Sequence, residues 1–310
     1  MHFTGAAHKL HFENGKGCHK DRTLSKLLLK DNLDILLSRV KTVMPEITML
    51  FICASAAGGT GSGMLPAAAK IISEKIRVNV CLVTVLPSKS ENFQSYANTV
   101  QVFQEIEKLD NIGAVFILDN DRHGDKMKIN EIFFTHLHAL LANENGSSYG
   151  CLDRGEIDQL LETPGMAVMT KLGKDKAEQL LSSLTENNIY ARTEADKVVK
   201  YIGLVSCGQK APIEELISKI GIPVDTYSGT EAPANVCILT GMSLPKSRLN
   251  EIRAVAQKNV EVIRKNMEEA EESLFGEDVS FSDVFRDRKK DRRTERRAVS
   301  SLEIMNEFLN

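Results

Sequence analysis

The stretch T-M-L-F-I-C-A-S-A-A-G-G-T-G-S-G, from Thr48 to Gly63, carries the most structural information in the chain. Its first half, Thr48 to Ala54, is apolar without alternation, the pattern of a strand buried on both faces. Its second half is a glycine-rich turn, Ala57 to Gly63, placed directly before a helical pattern that runs from about Gly63 to Lys75. Glycines let the backbone turn sharply and bring several N–H groups close to an anion. The helix N-terminus behind them adds unpaired donors and partial positive charge. Gly58, Gly59, Thr60, Gly61, Ser62 and Gly63 are therefore the expected phosphate-binding residues, with hydroxyls from Thr60 and Ser62. No Lys-Ser/Thr follows the last glycine, so this is not a Walker A loop. Nor is it spaced G-x-G-x-x-G with an acidic ribose partner, which excludes a Rossmann-type dehydrogenase.

Outward from that turn, strands and helices alternate. Leu24, Leu27, Leu28, Leu36, Leu37 and Val40 form one helical stripe that stops before Pro45. Val78 to Leu86 is a second buried strand, Asn92 to Leu109 a helix, Ala114 to Leu118 a third strand and Lys126 to Asn143 another helix. Such an order predicts an α/β fold with a doubly wound, mostly parallel sheet covered on both faces. Turn chemistry at N-E-N-G-S-S-Y-G, after Asn143, marks a boundary. Beyond it the pattern gives a short helix (Ile157–Leu161), a strand (Met166–Thr170), a helix (Lys174–Leu184), a strand (Tyr201–Cys207), a helix (Ile213–Ile220) and a strand (Ala234–Met242). The expected organisation is a nucleotide-binding domain over 1–125 and a central connecting helix over 126–143. A smaller α+β domain follows over 144–243, then a long C-terminal helix over 244–275 and a charged, disordered tail over 276–310.

Composition removes several function classes. The chain has 310 residues, 42% hydrophobic and 26% charged, ordinary for a globular protein with a real core. Apolar runs are far shorter than the ~20 residues a membrane helix needs. No charged-then-apolar leader opens the sequence at Met1, so a cytoplasmic protein without membrane contact is expected. The six cysteines never form C-x-x-C, and the histidines lack ligand spacing, so no metal site is assigned to side chains. Net charge is −3, but eight basic residues crowd Arg286 to Arg297 behind an acidic stretch at Glu268–Asp278, so any polyanion contact is local to the tail.

Ala57-Gly58-Gly59-Thr60-Gly61-Ser62-Gly63 on a strand-to-helix turn resembles the signature of the tubulin and FtsZ superfamily, most closely its TubZ branch of plasmids and phages. The resemblance extends over about Gly17 to Ser273. Gly17-Cys18-His19-Lys20-Asp21-Arg22 is similar to a second phosphate-side loop, which implies roles for Gly17 and Lys20. Leu86-Pro87 and the residues to Asn92 are similar to the ribose loop, where Glu91 matches an acid. Asp119-Asn120-Asp121-Arg122 and Asn130 match guanine-recognising positions, and an amide suits guanine because it donates and accepts at once. Cys151-Leu152-Asp153-Arg154-Gly155-Glu156 resembles the loop written N-x-D-x-x-D/E, with Cys151 in place of Asn. In that family two carboxylates of one subunit complete its neighbour's site and orient the attacking water. The implied catalytic residues are Asp153 and Glu156, since phosphoryl transfer depends on positioning and charge stabilisation. Taken alone, the same two residues also read as a helix N-cap and capping box.

The resemblance implies a GTPase using GTP and Mg²⁺ that polymerises head to tail with itself, hydrolyses GTP between subunits and segregates plasmid or phage DNA. A DNA-bound adaptor would engage the 286–297 tail, with direct DNA binding weak or absent; a plain solvated tail fits the same charge run. Relative to the family, the sequence begins where a first strand and first phosphate loop would already be complete. That fits a truncated or misassigned start. It equally fits a nucleotide-inactive tubulin-like structural or regulatory protein, the alternative function.

Overall fold

A computed structural model describes residues 10–12, 17–142, 152–207 and 213–274. Two helices, α1 (Arg22–Asp31) and α2 (Leu33–Val43), precede β1 (Met49–Ser55). The single helical stripe read from the leucines is thus divided at Asn32, which closes α1 with bonds to the carbonyls of Leu28 and Leu29 and opens α2. The glycine turn leads into α3 (Thr60–Ile76), then β2 (Asn79–Leu86), α4 (Phe93–Ile106), β3 (Ala114–Asp119) and α5 (Lys126–Ala142). After residues 143–151, which lie outside the described set along with the expected boundary and Cys151, come α6 (Arg154–Glu162) and β4 (Gly165–Leu172). The chain continues through a 3-10 segment (Lys174–Gln179), α7 (Leu180–Thr185), β5 (Tyr201–Cys207), α8 (Ile213–Ile220), β6 (Asp225–Gly229), β7 (Glu231–Met242) and α9 (Lys246–Leu274).

Among the described residues the strands form one seven-stranded sheet in the order β1-β2-β3-β4-β7-β5-β6. Strands β1 to β4 run parallel, β7 is antiparallel to both β4 and β5, and β5 pairs parallel with β6. Pairing of Ala114 with Gly165 and Phe116 with Ala167 carries the sheet across the boundary expected near residue 144. One apolar core follows it, from Leu29 in α1 to Ala256 in α9. Helix α5 packs on β3 through Phe133, whose ring meets Phe116 edge-on at 5.3 Å.

Two sequence expectations need correction. Lys174–Leu184 is not one α-helix, because Asp175 and Lys176 leave helical dihedrals and the first turn tightens to 3-10. Nor is the 48–54 run buried on both faces: every residue of β1 is half-exposed or exposed, whereas every residue of β3 is buried. The reason is position, since β1 is the edge strand and pairs only with β2 among the described residues.

Candidate nucleotide site

The turn after β1 is built together with the 17–22 loop, and the contact is backbone on backbone. A Cβ on Gly59 would sit 2.5 Å from Lys20 Cα, and one on Gly63 would sit 1.8 Å from Ser25 Oγ and 2.7 Å from the Arg22 carbonyl. No side chain fits at either position. Gly17, His19 and Lys20 have positive φ (85°, 44° and 63°), so the loop turns in the left-handed region before Asp21 caps α1 by accepting from Leu24 N. Asn98 of α4 locks the two loops together, its Nδ2 donating to the carbonyls of Lys20 at 3.0 Å and Gly58 at 3.1 Å.

A proline explains the next contact. Pro66 lies inside α3 and has no N–H, so the Ser62 carbonyl four residues earlier lacks its helical donor. The buried Arg22 supplies one, Nη2 donating to Ser62 O at 3.1 Å, while the same nitrogen reaches Glu105 Oε2 at 2.7 Å. Glu105 also accepts from Lys26 at 2.7 Å, so one carboxylate of α4 fastens two buried cations of α1 beneath the glycine turn.

Several features of this end suit a polyanion. Gly59 caps α3 without a side-chain acceptor, leaving the first-turn N–H groups to other partners. Thr60 is exposed at that terminus. The Lys20 ammonium is held by two uncharged oxygens, Asn92 Oδ1 at 2.7 Å and Ser95 Oγ at 2.6 Å, and so keeps its charge for a further anion. Ser62 behaves otherwise than the sequence reading has it: it is buried and its hydroxyl donates to Gly58 O, so it shapes the turn and offers no donor outward.

Glu91, Asn120 and Asn130 share this end of the sheet. Glu91 lies in the loop after β2 and accepts from Lys126 at 3.2 Å, at the start of α5. Burial opposes its ionisation, but hydrogen bonds from Lys126, Ser95 and Ser88 prevail and hold its carboxyl below the usual glutamate value. Asn130 is four residues past Lys126 on the same helical face. Asn120 follows β3 directly, its N–H donating to Leu86 O at 3.4 Å, and its neighbours Asp119 and Asp121 bind Arg248 of α9. Turns after three adjacent parallel strands thus lie along one edge of the sheet, the edge at which open α/β sheets bind ligands. Asn98, Glu105 and Arg248 were missed by sequence reasoning.

Asp153 and Glu156 are elsewhere. They form the capping box of α6: Asp153 Oδ1 accepts from Glu156 N at 2.8 Å, and Glu156 Oε2 accepts from Asp153 N at 2.9 Å. Asp153 is exposed and Glu156 half-buried. Between them, Arg154 Nη2 donates to Thr48 Oγ1 at 2.9 Å, and Thr48 immediately precedes β1. At the other end of α6, Glu162 accepts from Asn79 at the start of β2. The helix therefore lies across the N-terminal ends of β1 and β2, and the glycine turn lies beyond the C-terminal end of β1. The seven residues of β1 separate them by about 20 Å. Tyr227 stands near the two acids: burial, then Asp225 and Tyr201, raise its phenol, and the charges of Glu156 and Asp153 add the least.

Comparison with known proteins agrees with this architecture. Residues 8–127 match the Tubulin/FtsZ family, GTPase domain. The tubulin-like protein TubZ of Clostridium botulinum C phage is 21% identical over 283 residues, covering 90% of this chain and 78% of that protein. The crystal structure of Clostridium botulinum phage c-st TubZ superposes with a TM-score of 0.72 at 21% identity, over 83% of this chain and 85% of that one. A GTPγS-form protofilament of Bacillus thuringiensis serovar israelensis TubZ gives 0.68 at 16% identity, over 86% and 83%.

Proposed function

We propose that this chain, whose residues 8–127 match the Tubulin/FtsZ family, GTPase domain, binds GTP in a crevice beyond β1 to β3 and hydrolyses it only where a second copy stacks against that crevice. One observation carries the reading. The glycine turn and the Asp153/Glu156 pair lie at opposite ends of β1, so one subunit does not bring them together, and a head-to-tail stack would. A heterologous contact of this kind does not close on itself and grows into a filament. The related Bacillus thuringiensis protein has been solved as a protofilament, which supports self-association here.

Each end has its own task. Backbone N–H groups of Gly59 to Gly61, the Thr60 hydroxyl and Lys20 bind the phosphates, Glu91 holds the ribose, and Asn120 and Asn130 read guanine. Asp153 and Glu156 arrive from the neighbour, orient the attacking water and accept its proton. Mg²⁺ would neutralise charge on the phosphates. Such a hard cation would be held by phosphate oxygens, water and at most the Thr60 hydroxyl. The segregation role rests on a DNA-bound adaptor engaging Arg286–Arg297, outside the described residues, in the cytoplasm. Among the described residues no helix is long and apolar enough to cross a membrane. Deleting the chain after Gly276 abolishes adaptor–DNA capture if the tail has that role.

The decisive experiment mixes two defective chains. Lys20→Glu repels the phosphates but keeps the acids; Asp153→Ala keeps the crevice but loses an acid. Each alone is silent in phosphate release, and an equal mixture recovers about a quarter of wild-type turnover, the share of junctions with both good halves. A silent mixture from variants that still copolymerise overturns the reading. A second reading, a nucleotide-inactive structural protein, is favoured by the edge of β1 beside the glycine turn, which no strand among the described residues covers. It predicts that the wild-type chain retains no labelled GTP.

A further inference from the structure

Arg248, in the first turn of the long C-terminal helix α9, is 8% exposed and reaches acceptors on two loops far away in sequence. Its Nε donates to Asp119 Oδ2 at 2.8 Å, and its Nη2 donates to Asp121 Oδ2 at 2.7 Å, to Asp119 Oδ1 at 3.3 Å and to the Pro87 carbonyl at 3.4 Å. At its outer edge Nη1 meets Glu251 at 3.2 Å. Asp119 and Asp121 stand on either side of Asn120, and Pro87 opens the loop that carries Glu91. The carboxylates pass the constraint onward: Asp119 Oδ1 also accepts from Asp121 N at 3.0 Å, and Asp121 Oδ1 accepts from Lys89 N at 2.9 Å. A single guanidinium thus ties the turn after β2 to the turn after β3. A lysine could not replace it, because one ammonium cannot span acceptors spread around a planar fork.

We propose that Arg248 is a positioning residue for base recognition: α9 uses it to set the geometry of the Asn120 and Glu91 loops, and so decides how well the crevice tells guanine from other bases. The proposal rests on the reading of this crevice as a GTP site. It assigns α9 a duty toward the nucleotide, although the helix lies some 130 positions downstream of the base-side residues (Arg248 and Asp119 are 129 apart). Phosphate binding, built on Gly58–Gly63 and Lys20, has no contact with Arg248 and is independent of it.

Titration calorimetry on the full chain separates this duty from mere docking of a helix. The probes are GTP, ATP and inorganic tripolyphosphate. In Arg248→Lys that melts near wild type, GTP affinity falls about tenfold or more, tripolyphosphate affinity stays within about twofold, and the GTP-to-ATP preference shrinks. Glu251→Gln, which touches only the outer nitrogen, leaves all three within about twofold. If folded Arg248→Lys keeps the wild-type GTP-to-ATP preference, or if Glu251→Gln erodes it equally, the proposal is overturned. Should Arg248→Lys fail to fold, Asp121→Asn carries the same test, since its amide oxygen keeps the bond from Lys89 N while its NH2 group, a donor, replaces the oxygen that accepts from Arg248. A wild-type chain that prefers GTP to ATP by nothing would instead sink the nucleotide reading itself, before any variant is made.

Discussion

The two ends of β1 are built on different principles. At its C-terminal end, glycine backbone is pressed against the Lys20–Ser25 segment, side chains from α1 and α4 cross beneath it, and the polar contacts span dozens of residues of sequence. At its N-terminal end, Asp153 and Glu156 form a local motif three residues apart, one exposed and one half-buried, each side chain bonded to the other's backbone, with Arg154 between them donating to Thr48. One end is a rigid receptacle; the other is a projecting tool. The contrast teaches that the proposed binding half is fixed by long-range packing, while the proposed hydrolytic half is a short local motif whose use depends on what it is brought against.

The largest effect expected is from Asp153→Ala, which lowers phosphate release at least about 100-fold. Nucleotide binding by the isolated subunit is unchanged, as judged by titration with labelled GTP; a loss of binding would merge the two ends into one site. Removing the cap also lowers melting stability by about 1 kcal/mol. Next comes Glu105→Gln, which leaves Arg22 and Lys26 without their shared carboxylate beneath the glycine turn. Stability falls by about 2–3 kcal/mol, read by denaturant melts, and nucleotide affinity falls with it. The glycine turn itself gives a paired prediction. Gly63→Ala drives a Cβ into Ser25 Oγ and costs about 2 kcal/mol, whereas Gly58→Ala, with nothing within 4 Å, stays within about 0.5 kcal/mol of wild type. Equal losses at both positions would remove the close approach as the reason for the glycines.

The smallest effect is electrostatic. Because the folded state holds the Glu91 carboxyl below its ordinary value of 4.5, its contribution to stability is complete above that value and disappears as the pH falls through the depressed one. The melting difference between wild type and Glu91→Gln, small at pH 7, therefore closes on acidification below the ordinary glutamate range. A difference that widens there would reverse the sign and unseat Lys126 as the partner.

The receptacle was half-legible in the sequence, and the capping box of α6 almost wholly so. Apolar runs and a glycine turn announce themselves locally, as does an acid followed three residues later by another. Asn98, Glu105 and Arg248 announce nothing, because each acts on residues 40 to 161 positions away and no spacing rule covers such distances. Strand β6 was missed since D-T-Y-S-G has the composition of a turn and is held as a strand by pairing with β5. The inward hydroxyl of Ser62 was misjudged for a similar reason: hydroxyl direction follows from packing, and residue type is silent about it. The half-exposure of β1 was unreadable from its own letters, which match those of the buried β3 in apolar character.

The capping box has a consequence for timing. A lone subunit keeps both its acids folded back on the first turn of α6, engaged with their own main chain. Each bond takes one carboxylate oxygen, Asp153 Oδ1 and Glu156 Oε2, and a carboxylate has a second with which to meet water. On the proposed reading the pair is thus seated in advance by its own main chain, and turnover waits only for a stacked copy to present its phosphates.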